Sequence, residues 1–246
     1  MFPLKYKSIK KATFLARPNR FIAQCLVDGA EETVHVKNTG RCKELLKYGA
    51  TVYLEPADNP SRRTRFSLIA VQKGDYLINI DSQAPNSVVY DAIKNGQIKL
   101  DGLSELVELR REKTFGNSRF DIFARDKDGR ECFAEVKGVT LLNGEGEERL
   151  FEALAPNVAL FPDAPTDRGR KHALELIEAK KSGYYAQIIF LVQLSGASYF
   201  APNIKTDLKL AEALRKARSL GVCIKAYETS VEPDSIEFLR ELEVRL

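Results

Sequence analysis

One stretch near the middle of the chain constrains the fold more than any other. Residues 119–125 and 131–137 each alternate polar with apolar side chains, which is the period of a β-strand with one buried face. A short loop joins them, and Gly129 stands where a tight loop needs a left-handed backbone. The pattern therefore predicts a β-hairpin. Three side chains of each arm are predicted to share a face: Phe120, Ile122 and Ala124 on the first, and Cys132, Ala134 and Val136 on the second.

The loop length decides which residues of the hairpin face each other. A three-residue loop pairs Asp126 with Arg130 and sets Asp121 opposite Glu135. A two-residue loop would send each polar residue to the face that its neighbour buries, so we predict the first register. It brings two carboxylates to within about 4.5–5.5 Å at Cβ, with Lys137 two residues further along the same face.

Two carboxylates at that separation repel each other unless something neutralises them. A divalent cation does so, and hard oxygen ligands suit Mg²⁺ or Mn²⁺, which are the cofactors we expect. Asp121, Glu135 and Lys137 resemble the PD-(D/E)XK nuclease signature, with Phe-Asp in place of Pro-Asp and Glu-Val-Lys as the E-X-K. The resemblance implies that the acids hold metal and that the lysine orients or activates the attacking water. It also implies Asp91, on a helix before the hairpin, as a further metal ligand. The alternative is a hairpin with a solvated charged face.

Composition is that of an ordinary globular protein. The 246 residues are 44% hydrophobic, enough for one large or two modest domains. No apolar run reaches the ~18–20 residues of a membrane span and no secretory signal is evident, so we expect a cytoplasmic protein. The four cysteines are scattered, which predicts reduced core residues. With two histidines in the chain, a histidine-rich metal site is excluded.

Residues 1–84 show short strand patterns separated by turn residues, which is typical of a small OB-type barrel. Strands are predicted at 13–17, 21–27, 33–37, 51–55, 66–72 and 76–80, with a helical turn at 42–47. This part carries a net charge of +6, against −2 for the rest of the chain. Arginines interleaved with aromatic residues favour a phosphate backbone with stackable bases; a solvated basic edge is the alternative. The candidate contacts here are Arg17, Arg20, Lys37, Arg41, Arg62, Arg63 and Arg65.

Residues 85–246 alternate strands with helices, which predicts an α/β domain. Helices are predicted from Asn86–Ser87 to Asn95, from an N-cap at Thr166 to about Lys181, and over 208–220, with strands at 186–192 and 222–227. Basic side chains at the start of the second helix oppose its dipole, and a phosphate near that end would compensate. The candidate contacts in this domain are Arg119, Arg168, Arg170 and Lys171.

Eight blocks occur in one order along the chain: Arg17-Pro-Asn-Arg20-Phe21, Val36-Lys-Asn38-Thr39-Gly40-Arg41, Ala84-Pro-Asn86, Ser118-Arg119-Phe120-Asp121, Glu135-Val-Lys137-Gly-Val-Thr140-Leu141, Phe161-Pro-Asp163-Ala164, Arg168-Gly169-Arg170-Lys171-His172 and Phe190-Leu-Val-Gln193. Together they resemble the sugar fermentation stimulation protein A (SfsA) family over nearly the whole chain. The resemblance implies an OB-like barrel followed by a PD-(D/E)XK nuclease-like α/β domain, DNA as the partner, and a link to sugar (maltose) regulation. One departure is residues 143–157, an acidic stretch that looks like an insertion and would repel a nucleic acid beside the site.

Three functions remain open on the sequence. The first is metal-dependent cleavage of DNA, favoured because both acids oppose DNA binding unless a metal lies between. The second is a non-catalytic DNA-binding regulator of sugar (maltose) metabolism genes, although no helix-turn-helix pattern is present. The third is a protein-interaction adaptor. The sequence leaves open single- or double-stranded substrate, DNA or RNA, and a homo-oligomer.

Overall fold

The computed structural model describes residues 3–38, 40–59, 61–143, 154 and 156–246. Its elements in chain order are β1 (Leu4–Lys5), β2 (Lys10–Asn19), β3 (Ile22–Val27), β4 (Ala30–Val36), β5 (Thr51–Pro56), β6 (Phe66–Lys73), β7 (Tyr76–Asn79), α1 (Ala84–Lys94), β8 (Leu106–Phe115), β9 (Ser118–Asp126), β10 (Glu131–Val139), β11 (Leu141–Leu142), β12 (Ala159–Phe161), α2 (Asp167–Lys181), β13 (Tyr185–Val192), β14 (Phe200–Pro202), α3 (Leu208–Ser219), β15 (Cys223–Glu232) and β16 (Ser235–Leu242). Across these described ranges, no helix is both long and apolar enough to cross a membrane.

The N-terminal strands close into a small barrel, as predicted. The sheet runs β4-β3-β2-β5-β6-β7, and a parallel pairing of β4 with β6 closes it. Its interior is filled by fully buried side chains such as Val34, Val52 and Leu68. The six predicted strands overlap β2 to β7. The predicted helical turn is a single turn, in which the Leu46 amide donates to the Cys42 carbonyl at 2.9 Å.

The second part is a seven-stranded sheet in the order β1-β16-β15-β13-β10-β9-β8. Its centre is parallel, because β13 pairs in parallel with both β10 and β15. Helices cover both faces, which explains why β13 is apolar from Ile188 to Val192. Ile189 and Leu191 pack in a cluster with α1, while Ile188 and Phe190 pack in a cluster with α2 and α3. The predicted α/β architecture is thereby confirmed.

The hairpin β9–β10 has the predicted register. Arg125 lies opposite Glu131 and Phe123 opposite Phe133. The Asp126 amide donates to the Arg130 carbonyl at 3.0 Å, which closes the three-residue loop. The Asp126 carboxylate also accepts hydrogen bonds from the Arg130 and Asp128 amides, so the loop is held by its own first residue. A local pattern was therefore sufficient to fix the pairing.

One prediction about the hairpin faces is wrong. Ile122 and Ala124 pack with α1, whereas Phe120 packs on the opposite side, with Phe133 at 5.8 Å between ring centroids. The described pairing between β9 and β10 extends only to Ile122. Beyond it the side chains no longer alternate regularly between the two faces, since Phe120 and Ile122 pack on opposite sides. This change of alternation occurs next to Asp121.

Helices α1 and α2 begin close to the predicted places. Thr166 caps α2, as predicted, by accepting a hydrogen bond from the Gly169 amide at 3.0 Å. Helix α1 begins at Ala84, before the predicted start, with Pro85 in its first turn, where the missing N–H costs nothing. Asn86 is therefore inside the helix, and its side chain is free to reach the hairpin.

The barrel and the large sheet are joined tightly. Strand β1 precedes the barrel in sequence but pairs with β16 in the large sheet, with Leu4 opposite Ile236. Gln193, at the end of β13, donates its side-chain amide to the Asn79 side chain at 2.9 Å and to the Asp81 carbonyl at 3.1 Å. The boundary at residue 84 stays a prediction, with β1 on the far side of it.

Two other predictions concern the four cysteines and the acidic stretch 143–157. Cys25, Cys42 and Cys132 are buried free thiols and Cys223 is a partly buried free thiol, as predicted. The acidic stretch 143–157 lies mostly outside the described residues. At its base the Asn157 amide donates to the Asn143 carbonyl at 2.9 Å.

Candidate active site at the open end of the hairpin

The structure brings Asp121 and Glu135 together where β9 and β10 separate. Asp121 Oδ2 accepts a hydrogen bond from the Val136 amide at 2.8 Å, in place of a strand partner. Asp121 Oδ1 accepts one from the Asn86 side-chain amide at 2.9 Å. The Asp121 carboxylate is thus fixed between the hairpin and the N-terminal turn of α1.

Glu135 is 2% exposed, and its two carboxylate oxygens have different surroundings. Oε1 lies 2.5 Å from His172 Nδ1 and also contacts the Lys137 ammonium. Oε2 is buried and has no hydrogen-bond partner among the described residues. A buried oxygen of a charged group without a partner is costly, so the site lacks one positive or donor group at this atom.

The ionisation of the two acids is coupled. Burial raises the pKa of Asp121, and the negative charge of Glu135 raises it further. Burial also acts to raise the pKa of Glu135, but the hydrogen bond from His172 and the charge of Lys137 outweigh it and lower that pKa. Glu135 is therefore the more readily ionised of the two acids. Ionisation of Asp121 is opposed by the charge of Glu135, and a cation between the two carboxylates would remove that opposition.

These groups fit a hard divalent cation. Carboxylate oxygens are the donors that Mg²⁺, Mn²⁺ and Ca²⁺ prefer, and Glu135 Oε2 offers a lone pair that nothing in the described structure uses. No group of three or more His, Cys, Asp or Glu side chains is placed for metal binding in the described ranges. The protein would supply two carboxylates, and water and phosphate oxygens would complete the shell, as Mg²⁺ commonly requires.

Asp91, predicted as a further metal ligand, is not brought to this site. It lines a small hollow on the other side of α1, together with Leu4 and Phe238. Asn86 is the α1 residue that contacts Asp121. Five residues further along a helix of 3.6 residues per turn, a side chain points well away from that direction. The prediction placed an acid on the correct helix but on the wrong face.

His172 was missed as a site residue. It adjoins the basic residues at the start of α2 in sequence, but it is only 5% exposed and lies edge-on to the Phe120 ring. The helical period would have predicted that His172 is buried, because it adjoins Ala173 and lies one turn before Leu176, both of which are buried.

Beside His172 lies an open depression of about 380 Å³ whose rim carries predicted DNA contacts. It is lined by Asn117, Ser118, Arg119, Asp167, Arg168, Lys171 and His172. Lys171 donates to the Asn117 carbonyl at 3.2 Å, which joins α2 to the turn before β9. Arg170 pairs with Asp167 at 2.9 Å and so is partly neutralised. Arg119, Arg168 and Lys171 thus line the same depression as His172, which contacts Glu135. Arg119 pairs with Glu112 at 3.4 Å and Lys171 with Glu175 at 3.6 Å.

The predicted barrel contacts fall into two groups. Lys37 pairs with Glu55 and Asp81, Arg62 donates to Thr64 and Ser67, and Arg65 pairs with Glu32. Arg65 is exposed despite its pair with Glu32. Arg20, Arg41 and Arg63 are also exposed, and Arg20 lies over the half-exposed ring of Phe21. The second group is better placed to meet a ligand.

The described residues of the loop 37–41 contact the segments that precede α1 and α2. The Ser82 hydroxyl, just before α1, donates to the Lys37 carbonyl. The Arg41 amide, at the other end of the loop, donates to Asp163 Oδ2 at 3.1 Å, just before α2. Because α1 supplies Asn86 and α2 supplies His172, the loop contacts both segments that lead into the site.

Arg17, predicted as a DNA contact, has a structural role. Its guanidinium donates to the backbone carbonyls of Arg20, Asn38, Gly40 and Arg41 at 2.6–2.9 Å. It therefore holds the loop of residues 37–41 from beneath. Four short bonds leave it little capacity to bind a phosphate as well.

We expect Arg17→Lys to lower the free energy of unfolding by roughly 2–4 kcal/mol, because a lysine cannot serve four carbonyls and leaves some without a donor. Urea denaturation of the variant measures this. The matched control is Arg20→Lys, an exposed change expected to stay within about 0.5 kcal/mol of the parent. Equal stability of the two variants would contradict the structural role.

Comparison with known proteins agrees with this architecture. Residues 83–235 match the family described as sugar fermentation stimulation protein RE domain, and residues 15–80 match the SfsA N-terminal OB domain. A sugar fermentation stimulation protein homolog of Clostridium perfringens is 50% identical over 99% of this chain and 100% of its own length. One from Alkaliphilus oremlandii is 48% identical over 95% of each chain. The structure of Pyrococcus furiosus SfsA in complex with Ca²⁺ is similar with a TM-score of 0.86, at 29% identity over 100% of both chains.

Proposed function

The chain belongs to the sugar fermentation stimulation protein (SfsA) family, and on that premise we propose that it is a metal-dependent nuclease acting on DNA. The observation that carries the proposal is the partnerless, buried Glu135 Oε2 beside Asp121 and Lys137. An acid in that position is costly in a protein that only binds DNA, because both carboxylates repel phosphates. The Pyrococcus furiosus relative was solved in complex with Ca²⁺, which supports the binding of a divalent cation.

The residues have separate roles in this proposal. Asp121 and Glu135 hold the cation, which when bound polarises a phosphodiester and lowers the pKa of a water molecule. The Lys137 side chain is one fifth exposed, and its ammonium, held by Glu135, can donate both to the attacking water and to a phosphate oxygen. Asn86 and the Val136 amide keep the Asp121 carboxylate in one orientation. We propose Mg²⁺ or Mn²⁺ as the cation.

We assign DNA binding to two surfaces. One is the depression rimmed by Arg119, Arg168 and Lys171, and the other is the exposed part of the barrel, with Arg20 over Phe21 and Arg41 in the loop of residues 37–41. Arginines grip phosphates as planar donors, and an exposed ring beside one offers a base a surface to stack on.

A non-catalytic regulator is the second candidate, and the relatives' own name favours it. "Sugar fermentation stimulation" describes an effect on metabolism, and a DNA-binding regulator of sugar (maltose) genes would produce such an effect without cleavage. It would use the same basic surfaces, with the acids kept as an inheritance from a nuclease fold. The two functions differ in whether the phosphodiester is broken.

The decisive experiment incubates labelled single- and double-stranded DNA with the full chain in Mg²⁺, in Mn²⁺ and in EDTA, next to Lys137→Ala. We expect cleavage with metal, none in EDTA, and a loss of about 10²-fold or more in the variant. Lys127→Ala is the control, because Lys127 is an exposed lysine on the hairpin loop. DNA retention without cleavage under any metal would establish the regulator instead.

A further inference from the structure

His172 reaches Glu135 from a different element, and the fold explains how. Thr166 caps α2 and thereby sets the rotation of the helix, so that Gly169, His172 and Leu176 face the sheet. Gly169 lies close enough to the cap that an added Cβ would be 2.9 Å from the Thr166 methyl group. The Phe120 ring, 5.8 Å from the imidazole between centroids, limits the movement of His172 on one side.

The imidazole acts on one oxygen of Glu135 only. Nδ1 lies 2.5 Å from Oε1, which also contacts Lys137, while Oε2 has no partner among the described residues. With the carboxylate ionised, Nδ1 must donate, because a carboxylate can only accept. A carboxylate held at one oxygen cannot rotate to satisfy the other, so Oε2 stays directed at the same point.

We propose that His172 is a positioning residue, which fixes the Glu135 carboxylate so that Oε2 is presented to a divalent cation. This inference rests on the proposed function and assigns to α2 a part that the nuclease signature does not contain. Groups that orient a metal ligand commonly contribute 10- to 100-fold to metal affinity. The same turn of α2 carries Arg168 and Lys171, so the helix that grips phosphate also orients the acid.

Calcium affinity, measured by titration calorimetry on the full chain, tests the proposal without relying on cleavage. We expect His172→Leu to weaken Ca²⁺ binding by about 10- to 100-fold. His172→Asn places an amide donor near the position of Nδ1 and should restore affinity to within about fivefold. Leu174→Ala, on the exposed side of the same helix, is expected to leave affinity unchanged.

A second comparison covers the case in which His172→Leu fails to fold. His172→Gln carries its donor near the Nε2 position, so the proposal requires the Asn variant to bind Ca²⁺ more tightly than the Gln variant. Equal affinities of these two, or a Leu variant that binds as tightly as the parent, would overturn the role of His172 and leave the nuclease proposal standing. If the parent chain binds no Ca²⁺ and does not cleave DNA with any metal, both proposals are overturned.

Discussion

Asp121→Asn is expected to slow metal-dependent cleavage by about 10²–10⁴-fold, while the affinity for DNA in EDTA is kept or increases. Asparagine has the shape of aspartate and can still accept the hydrogen bond from the Val136 amide. It removes the charge that opposes a phosphate, which is why affinity without metal should not fall. Cleavage rates and fluorescence anisotropy in EDTA measure the two effects separately.

The same variant is expected to change stability in opposite directions with and without metal. The pKa of Asp121 is raised in the folded protein, so stability falls as the pH rises from the ordinary pKa of aspartate to this raised pKa. At pH 7 in EDTA the Asn variant should therefore melt at a higher temperature than the parent. Ca²⁺ should raise the Tm of the parent and have little effect on the variant, because a ligand stabilises only the state that binds it.

Asp128→Asn is the matched control for both measurements, since Asp128 is an exposed acid on the hairpin loop. It should cleave DNA at the parental rate and keep the parental response to Ca²⁺. Undiminished cleavage by Asp121→Asn, or an unchanged Ca²⁺ shift, would remove Asp121 from the site.

Gly138→Ala is expected to lower the free energy of unfolding by about 2–4 kcal/mol and to reduce cleavage as well. An added Cβ would lie 2.2 Å from Gln193 Oε1 and 2.8 Å from Pro85 Cγ. Gln193 cannot turn aside without losing its hydrogen bonds to Asn79 and Asp81. The strand must shift instead, and Lys137 is the preceding residue. Urea denaturation and the cleavage rate measure the two effects.

Val139→Ala separates loss of stability from displacement of Lys137. It deletes buried methyl groups from the next residue of the same strand and should cost about 2 kcal/mol without adding any atom near Gln193. We expect it to cleave DNA nearly as fast as the parent at a temperature where both are folded. Equal cleavage by Val139→Ala and Gly138→Ala would show that the contact with Gln193 does not control the site.

The sequence predicted what local patterns determine. Alternation and loop length gave the register that places Asp121 beside Glu135, and turn residues gave the strands of the barrel. The contact between Glu135 and His172 joins residues 37 positions apart, and no local pattern specifies it. Asp91 was assigned wrongly because the direction of a side chain depends on the rotation of the helix against the sheet. Arg17 was taken for a ligand contact because sequence does not reveal which backbone carbonyls need a donor.

The pairing of β1 with β16 makes the barrel an insertion within the α/β fold rather than a separate N-terminal module. The chain contributes a strand to the large sheet, builds the barrel, and then returns to the same sheet through α1. Deleting residues 1–84 would therefore remove an edge strand and leave the backbone of β16 open to pairing with another molecule. A better deletion would remove only the barrel, between the end of β1 and the start of α1, and join the two ends by a short linker. Such a chain would keep the pairing of β1 with β16 and all four residues Asp121, Glu135, Lys137 and His172, whereas Gln193 would lose its partners Asn79 and Asp81.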